Sequence, residues 1–166
     1  IETASQPLLD FYQKGITLEQ VENAIKITKK VGLNTKGFIM FGNPLETRES
    51  LRMTIDFTKR IDLDDVSIAF FTPFPGSAIY NEVEKYGKFD RDWAKMSCFD
   101  IVFVPNGFTE AELRKWVKTA YRQFYFRPRI IFSYLSRLTS WAQFKALLSS
   151  GLTLLRYMFL DRKRSP

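Results

Sequence analysis

The chain contains no histidine and a single cysteine, Cys98. Without histidine, the usual zinc and haem sites and imidazole-based acid–base catalysis are excluded. One thiol excludes an intrachain disulfide and any cysteine-held cluster built from this chain. Such cysteine usage suits a reduced, cytoplasmic setting. The most apolar stretch, 146–160, is interrupted by Ser149, Ser150, Gly151, Thr153 and Arg156, and falls short of the roughly 20 residues that span a bilayer. Acidic residues are scarce at the carboxy end. Residues 127–166 carry eight basic residues and one acid, Asp161, whereas residues 1–126 hold 17 of each sign, so the tail supplies the whole net charge of +7. Charge gathered in this way does not describe a uniformly basic nucleic-acid domain, and no nucleic-acid partner is expected.

What is present is a globular composition: 166 residues, 45% hydrophobic and 16% aromatic, with Phe the commonest aromatic. The chain opens on Ile1, inside what reads as the end of a strand, and is expected to be a piece of a longer protein. Pro7 suits the first turn of a short helix over about 7–13, stopped by Gly15. Thr17 and Gln20 form a capping box ahead of Leu18, Val21, Ile25 and Thr28 at helical spacing, with Ile27 and Val31 widening the stripe. Asn34 to Phe41 reads as a strand, 47–61 as a helix, and 66–71 as a short buried strand. Asp62-Leu63-Asp64-Asp65 reads as a polar connection, and a further short helix is expected over 77–86. Thr109 and Glu112 make another capping box, opening a helix with Leu113, Trp116, Val117, Ala120 and Phe124 on one face. Helices near 129–137 and 140–160 follow. Strands alternating with helices imply parallel pairing through crossovers.

Three loops stand at the carboxyl ends of successive strands, the edge where parallel α/β folds bind small molecules. The first, Ile1-Glu2-Thr3-Ala4-Ser5, offers a carboxylate and a hydroxyl that can bind a ribose diol; equally, Ser5 or Gln6 can simply cap the helix that follows. The second is Gly42-Asn43-Pro44-Leu45-Glu46-Thr47. Gly42 and Pro44 there can serve only to shape a turn, and Glu46 can be a carboxylate favoured by a helix N-terminus. The third is Thr72-Pro73-Phe74-Pro75-Gly76, which can equally be a rigid corner.

Taken jointly, their order and spacing resemble the carboxy-terminal half of a radical S-adenosylmethionine enzyme, in the branch that often carries a cobalamin-binding domain upstream. That branch shows an Ile-Glu-Ser-Gly-Ser-like loop, then Gly-x-Pro-Gly-Glu-Thr, then Thr-Pro-Phe-Pro-Gly-Thr. Here Thr3-Ala4 replaces Ser-Gly, and Leu45 replaces a glycine. The resemblance implies an α/β fold, a partial TIM-like half-barrel with a parallel sheet of three to four strands, followed by a carboxy-terminal helical extension. It implies two regions, 1–107 from the barrel and 108–166 as the extension with a basic amphipathic tail. The implied cofactors are S-adenosylmethionine and a [4Fe-4S] cluster whose cysteine ligands this chain lacks, with cobalamin through an upstream domain. The implied chemistry is cleavage of S-adenosylmethionine to a 5′-deoxyadenosyl radical, in methyl transfer or oxidative cyclisation, by an oxidoreductase or methyltransferase. Carried onto this sequence, Glu2 and Ser5 face ribose, Ile39, Gly42, Pro44 and Glu46 shape the adenine pocket, and Phe71, Thr72 and Pro73 lie beside adenine or substrate. No catalytic residue and no metal ligand is assigned, and the chain alone is expected to be inactive. Its expected partners are the missing amino-terminal half of the same protein and a small-molecule or lipid-like substrate.

The tail has two readings. Trp141, Phe144, Leu148, Leu152, Leu155 and Phe159 can share one face with basic residues around it, a pattern that lies on anionic membranes. The same face can instead pack on the missing half, so 127–166 is expected either to touch a membrane peripherally or to bury itself. The rival to the enzyme reading is a non-catalytic α/β module that docks through this tail.

Overall fold

The computed structural model describes residues 1–160; the last six residues, Asp161 among them, lie outside the described residues. The chain divides into two compact units, Ile1–Val117 and Lys118–Pro166.

The first unit begins with a loop, then α1 (Gln6–Phe11), α2 (Leu18–Lys30), β1 (Lys36–Phe41), α3 (Arg48–Arg60) and β2 (Asp65–Phe70). Helix α2 starts at the capping box read from the sequence: Thr17 Oγ1 accepts from Gln20 N, and the Gln20 side chain accepts from Thr17 N. A second box, Thr47 with Ser50, opens α3. The two strands pair in parallel, in register from Lys36 opposite Asp65 to Phe41 opposite Phe70. Strictly alternating residues turn inward: Gly37, Ile39 and Phe41 from β1, and Val66, Ile68 and Phe70 from β2. With Leu51, Ile55 and Phe57 of α3 they are buried in the core. Each large apolar side chain removed from water in this way contributes roughly 1.5–3 kcal/mol.

The half-barrel expectation fails here. The fold is a small α/β arrangement with two separate two-stranded sheets, neither closed nor curled into part of a barrel. Residues 1–3 lie beside β1, but Met40 N donating to Glu2 O is the single backbone bond between them, too little for a ladder. On the other edge of β2, Phe70 N donates to Cys98 O. The chain then leaves that edge to build a second, antiparallel sheet from β3 (Gly87–Phe89) and β4 (Phe103–Pro105). Gly87 makes this possible. A Cβ there would sit 2.2 Å from Val104 O and 2.8 Å from Pro105 Cα, so only glycine lets the two strands close.

Two further expectations are corrected. The helix over 77–86 is replaced by turns and a 3₁₀ turn at Val83–Lys85, with Tyr80 N bonding Ser77 O and Glu82 N bonding Ile79 O. The polar connection at 62–64 is only partly in water: Asp62 is exposed, whereas Leu63 is fully buried and Asp64 accepts from Lys29 Nζ at 2.8 Å and Thr35 N at 2.7 Å. At Thr109–Glu112 only half of the capping box forms. Glu112 N donates to Thr109 Oγ1, but the Glu112 carboxylate turns to a bidentate pair with Arg48.

Helix α4 (Glu110–Tyr125) buries Leu113, Val117, Ala120 and Phe124 at helical spacing. The second unit continues with α5 (Pro128–Ser136) and α6 (Trp141–Phe159). Pro128 fits the start of α5, where its missing N–H costs nothing, and Ser140 caps α6 by accepting from Gln143 N. No helix of the described residues is long and apolar enough to cross a membrane.

Candidate functional site

The turn after β1 is built around a closed polar network. Gly42 sits at φ 79°, the left-handed region that favours glycine, and a Cβ there would already touch Leu113 Cδ1 at 3.4 Å. Asn43 next to it is fully buried. Its Nδ2 donates to Met40 O at 2.9 Å and to Glu46 Oε2 at 2.6 Å, while its Oδ1 accepts from Tyr12 OH at 2.7 Å. Glu46 Oε1 accepts from the Ser50 hydroxyl in the first turn of α3. One amide therefore ties the end of α1, the turn after β1 and the start of α3 together.

Burial dominates the electrostatics here. It raises the Glu46 carboxyl above its ordinary value of 4.5, against the opposing pull of hydrogen bonds from Ser50, Asn43 and the Gly42 backbone. Tyr12 is pushed up as well, first by burial and then by the charges of Glu46 and Glu2, so its hydroxyl remains a donor. Each side-chain polar atom of Tyr12, Asn43, Glu46 and Ser50 has a hydrogen-bond partner within the protein. The cluster holds the turn in shape and is not poised as an acid–base pair open to solvent.

Other sequence-read residues fall around this brace. The first loop is fastened to α3, with Ala4 N donating to Thr54 Oγ1 at 3.0 Å and Thr3 Oγ1 3.2 Å from the same atom. Ser5 occupies the N-cap position of α1 and is buried, yet its hydroxyl makes no capping bond. Glu2 stays half-exposed, its carboxylate paired with Lys14. Ile39, Gly42, Pro44 and Glu46 are all buried. At the end of β2, Phe71 N continues the ladder to Phe41 O at 2.8 Å, and its ring packs edge-on against Phe103 with centroids 5.4 Å apart. Thr72 Oγ1 bonds Phe70 O and Ser97 O, and Pro73 is buried beside it. Phe70 is core, while Phe74 is 49% exposed.

Tyr12, Asn43, Ser50 and Thr54 were not among the residues expected at this site. Asn43 and Glu46 carry a legible signal, an amide three residues before a carboxylate ahead of a helix cap. Tyr12 carries none, because its role depends on a contact 31 residues away. Among the described residues no three His, Cys, Asp or Glu side chains gather to hold a metal ion.

Comparison with protein-family models finds no match. Among known proteins, the chain is 36% identical over 132 residues to an uncharacterized methyltransferase of Pyrococcus horikoshii, covering 79% of this chain and 29% of that protein. It is 30% identical over 125 residues to an anaerobic magnesium-protoporphyrin IX monomethyl ester cyclase of Rubrivivax gelatinosus, covering 75% of this chain and 22% of the relative. A bacteriochlorophyllide d C-8(2)-methyltransferase of Chlorobaculum tepidum is 28% identical over 105 residues, covering 61% of this chain and 23% of the relative. The chain thus spans less than a third of the length of these relatives, and over that span it is similar to enzymes named as methyltransferases and cyclases.

Proposed function

We propose that this chain forms one wall of the S-adenosylmethionine site of a larger radical S-adenosylmethionine enzyme, of methyl-transferring or ring-closing type. The observation that supports the reading best is a lateral alignment. Met40 N bonds Glu2 O, and Phe71 N bonds Phe41 O, so the three sequence-read loops come side by side at one edge of the β1–β2 pair. The partial similarity to methyltransferases and a cyclase points the same way.

The residues present fit a nucleoside at one point. Glu2 keeps a half-exposed carboxylate, and Ser5 a hydroxyl not spent on its own helix cap; together they offer acceptor and donor to a ribose diol. They do not fit an iron–sulfur cluster, for which a lone Cys98 provides no ligand set. Bound S-adenosylmethionine would supply methyl or one-electron chemistry. This chain would position it: the Asn43 network fixes the turn, and Phe71 and Pro73 keep water from the adjoining wall. The cluster, and cobalamin if used, would be held by other parts of such a protein. Its substrate would be a small or lipid-like molecule in a cytoplasmic setting, and the chain alone would not catalyse.

Equilibrium dialysis of the 166-residue chain with labelled S-adenosylmethionine tests this. A hydrogen bond to a charged group contributes about 1.5–3 kcal/mol, so Glu2→Gln should weaken binding at least about tenfold and Ser5→Ala by less. No saturable binding, or an affinity indifferent to Glu2→Gln, refutes the wall assignment.

A further inference from the structure

Among the described residues of the second unit, 118–160, there are seven basic side chains and no acidic one. The same segment leaves large apolar groups in water: Phe132 is 73% exposed, Trp141 68%, Phe159 59% and Leu148 52%. An exposed apolar surface of this kind marks an interaction site. The phase of α6 explains it. Met158 is the buried residue of that helix, with Phe144, Leu147 and Leu154 half-buried, whereas Leu148, Leu152 and Leu155 flank this inner row and stay exposed.

Between these helices lies an apolar groove of about 440 Å³, lined by residues of α5, α6 and the end of α4, Ile131, Leu135, Leu148 and Leu155 among them. That volume lies in the about 300–1,000 Å³ range of small-molecule sites. At the start of α6, Trp141 stacks on Phe144 at 5.1 Å, and Lys145 lies over the Trp141 ring at 5.8 Å. An indole beside an ammonium is the pairing suited to the boundary between lipid tails and headgroups.

We propose that residues 118–160 dock on an anionic phospholipid bilayer, lying on its surface, with lipid tails contacting the groove and the basic side chains meeting the headgroups. Charge complementarity selects this occupant: the described segment 118–160, with seven basic side chains and no acidic one, favours an anionic surface and repels a second copy of itself. With no helix among the described residues able to cross a membrane, the attachment is peripheral. This inference is independent of the S-adenosylmethionine reading, which concerns residues 1–73.

The test is co-sedimentation of the full 166-residue chain with vesicles of phosphatidylcholine alone or with phosphatidylglycerol added, with Trp fluorescence read in parallel. Binding is expected only with the anionic lipid, falling about tenfold or more between 0.05 and 0.5 M salt as screening shortens. Leu148→Glu/Leu152→Glu should abolish it at unchanged circular dichroism, since both sites are already exposed. Trp141→Phe should remove the blue shift in emission. Equal pelleting with neutral and anionic vesicles, or none with either, overturns the proposal. Salt-sensitive binding unaffected by the double Leu→Glu change overturns the role of the groove. A dimer in light scattering that this double change converts to monomer, without vesicle binding, identifies a second copy as the occupant and overturns the proposal too.

Discussion

Replacing Asn43 by Ala removes three hydrogen bonds at once and exposes nothing, because the side chain is fully buried. Tyr12 OH loses its acceptor, Met40 O loses a donor at 2.9 Å, and the buried Glu46 carboxylate loses its 2.6 Å partner. An abandoned buried polar group costs about 1–3 kcal/mol, and more when it is charged. Partial relaxation and water entry reduce the sum, so we expect a loss of about 3–5 kcal/mol, a large share of the roughly 5–15 kcal/mol that holds a domain together. In urea, with a slope of about 2 kcal/mol per molar, the midpoint should fall by about 1.5–2.5 M at unchanged slope. Circular dichroism at 222 nm follows the transition. Asn43→Asp adds a diagnostic: it sets a second carboxylate against Glu46, so it should be at least as damaging at pH 7 and should recover as acid protonates the pair. A midpoint shift below about 0.3 M for Asn43→Ala, or an Asp variant insensitive to pH, would refute the view that this amide organises the turn.

Glu46 itself makes stability pH-dependent. Because its carboxyl is raised in the folded state, that state binds the extra proton; this contribution is full below the ordinary value of 4.5 and is lost as pH rises through the raised folded value. Relative to Glu46→Gln, the natural protein should therefore gain stability as pH falls from 7 towards 4.5, and thermal melts of the two across that range check the sign. Gly87→Ala should cost at least about 2 kcal/mol through its clash with Val104 O and Pro105 Cα. Gly15→Ala, with nothing within 4 Å and only a φ of 62°, should cost about 1 kcal/mol, and the difference in their urea midpoints checks the ranking. Asp64→Ala leaves Thr35 N and Lys29 without a buried carboxylate and should cost about 3 kcal/mol in the same assay.

Local order was legible where local chemistry decides it. The capping pair Thr17–Gln20, Pro128 at a helix start and the spacing Leu113, Val117, Ala120, Phe124 each set an element from nearby residues alone. The stretch Asn34 to Phe41, polar at its start and apolar at its end, located β1, which runs over Lys36–Phe41. Pairing was not legible. The sequence suggested a run of parallel strands, but the register of Gly87–Phe89 with Phe103–Pro105 depends on a missing Cβ set against a backbone 17 residues away. The 3₁₀ turn at Val83–Lys85 likewise reflects tertiary packing, since Val83 is drawn into the core with Phe71 and Phe103. At the site, the loops were found by their motifs, whereas Tyr12, which completes the Asn43 network, has no local signature. In helix α6 the stripe Trp141, Phe144, Leu148, Leu152, Leu155 and Phe159, read as a face for a membrane or for the missing half, is exposed apart from half-buried Phe144. The inward row that accompanies it, Leu147, Leu154 and Met158, depends on packing within the second unit and has no separate signature in the sequence.

On the proposed function, the loops containing Glu2, Gly42 and Thr72 form a nucleoside-binding wall. Amide chemical-shift mapping of the 166-residue chain during titration with S-adenosylhomocysteine tests it most directly. Saturable shifts are expected at residues 2–5, 39–46 and 70–73, weakened by Glu2→Gln. Shifts centred on residues 118–160, or none at ligand concentrations well above about 1 mM, would contradict it.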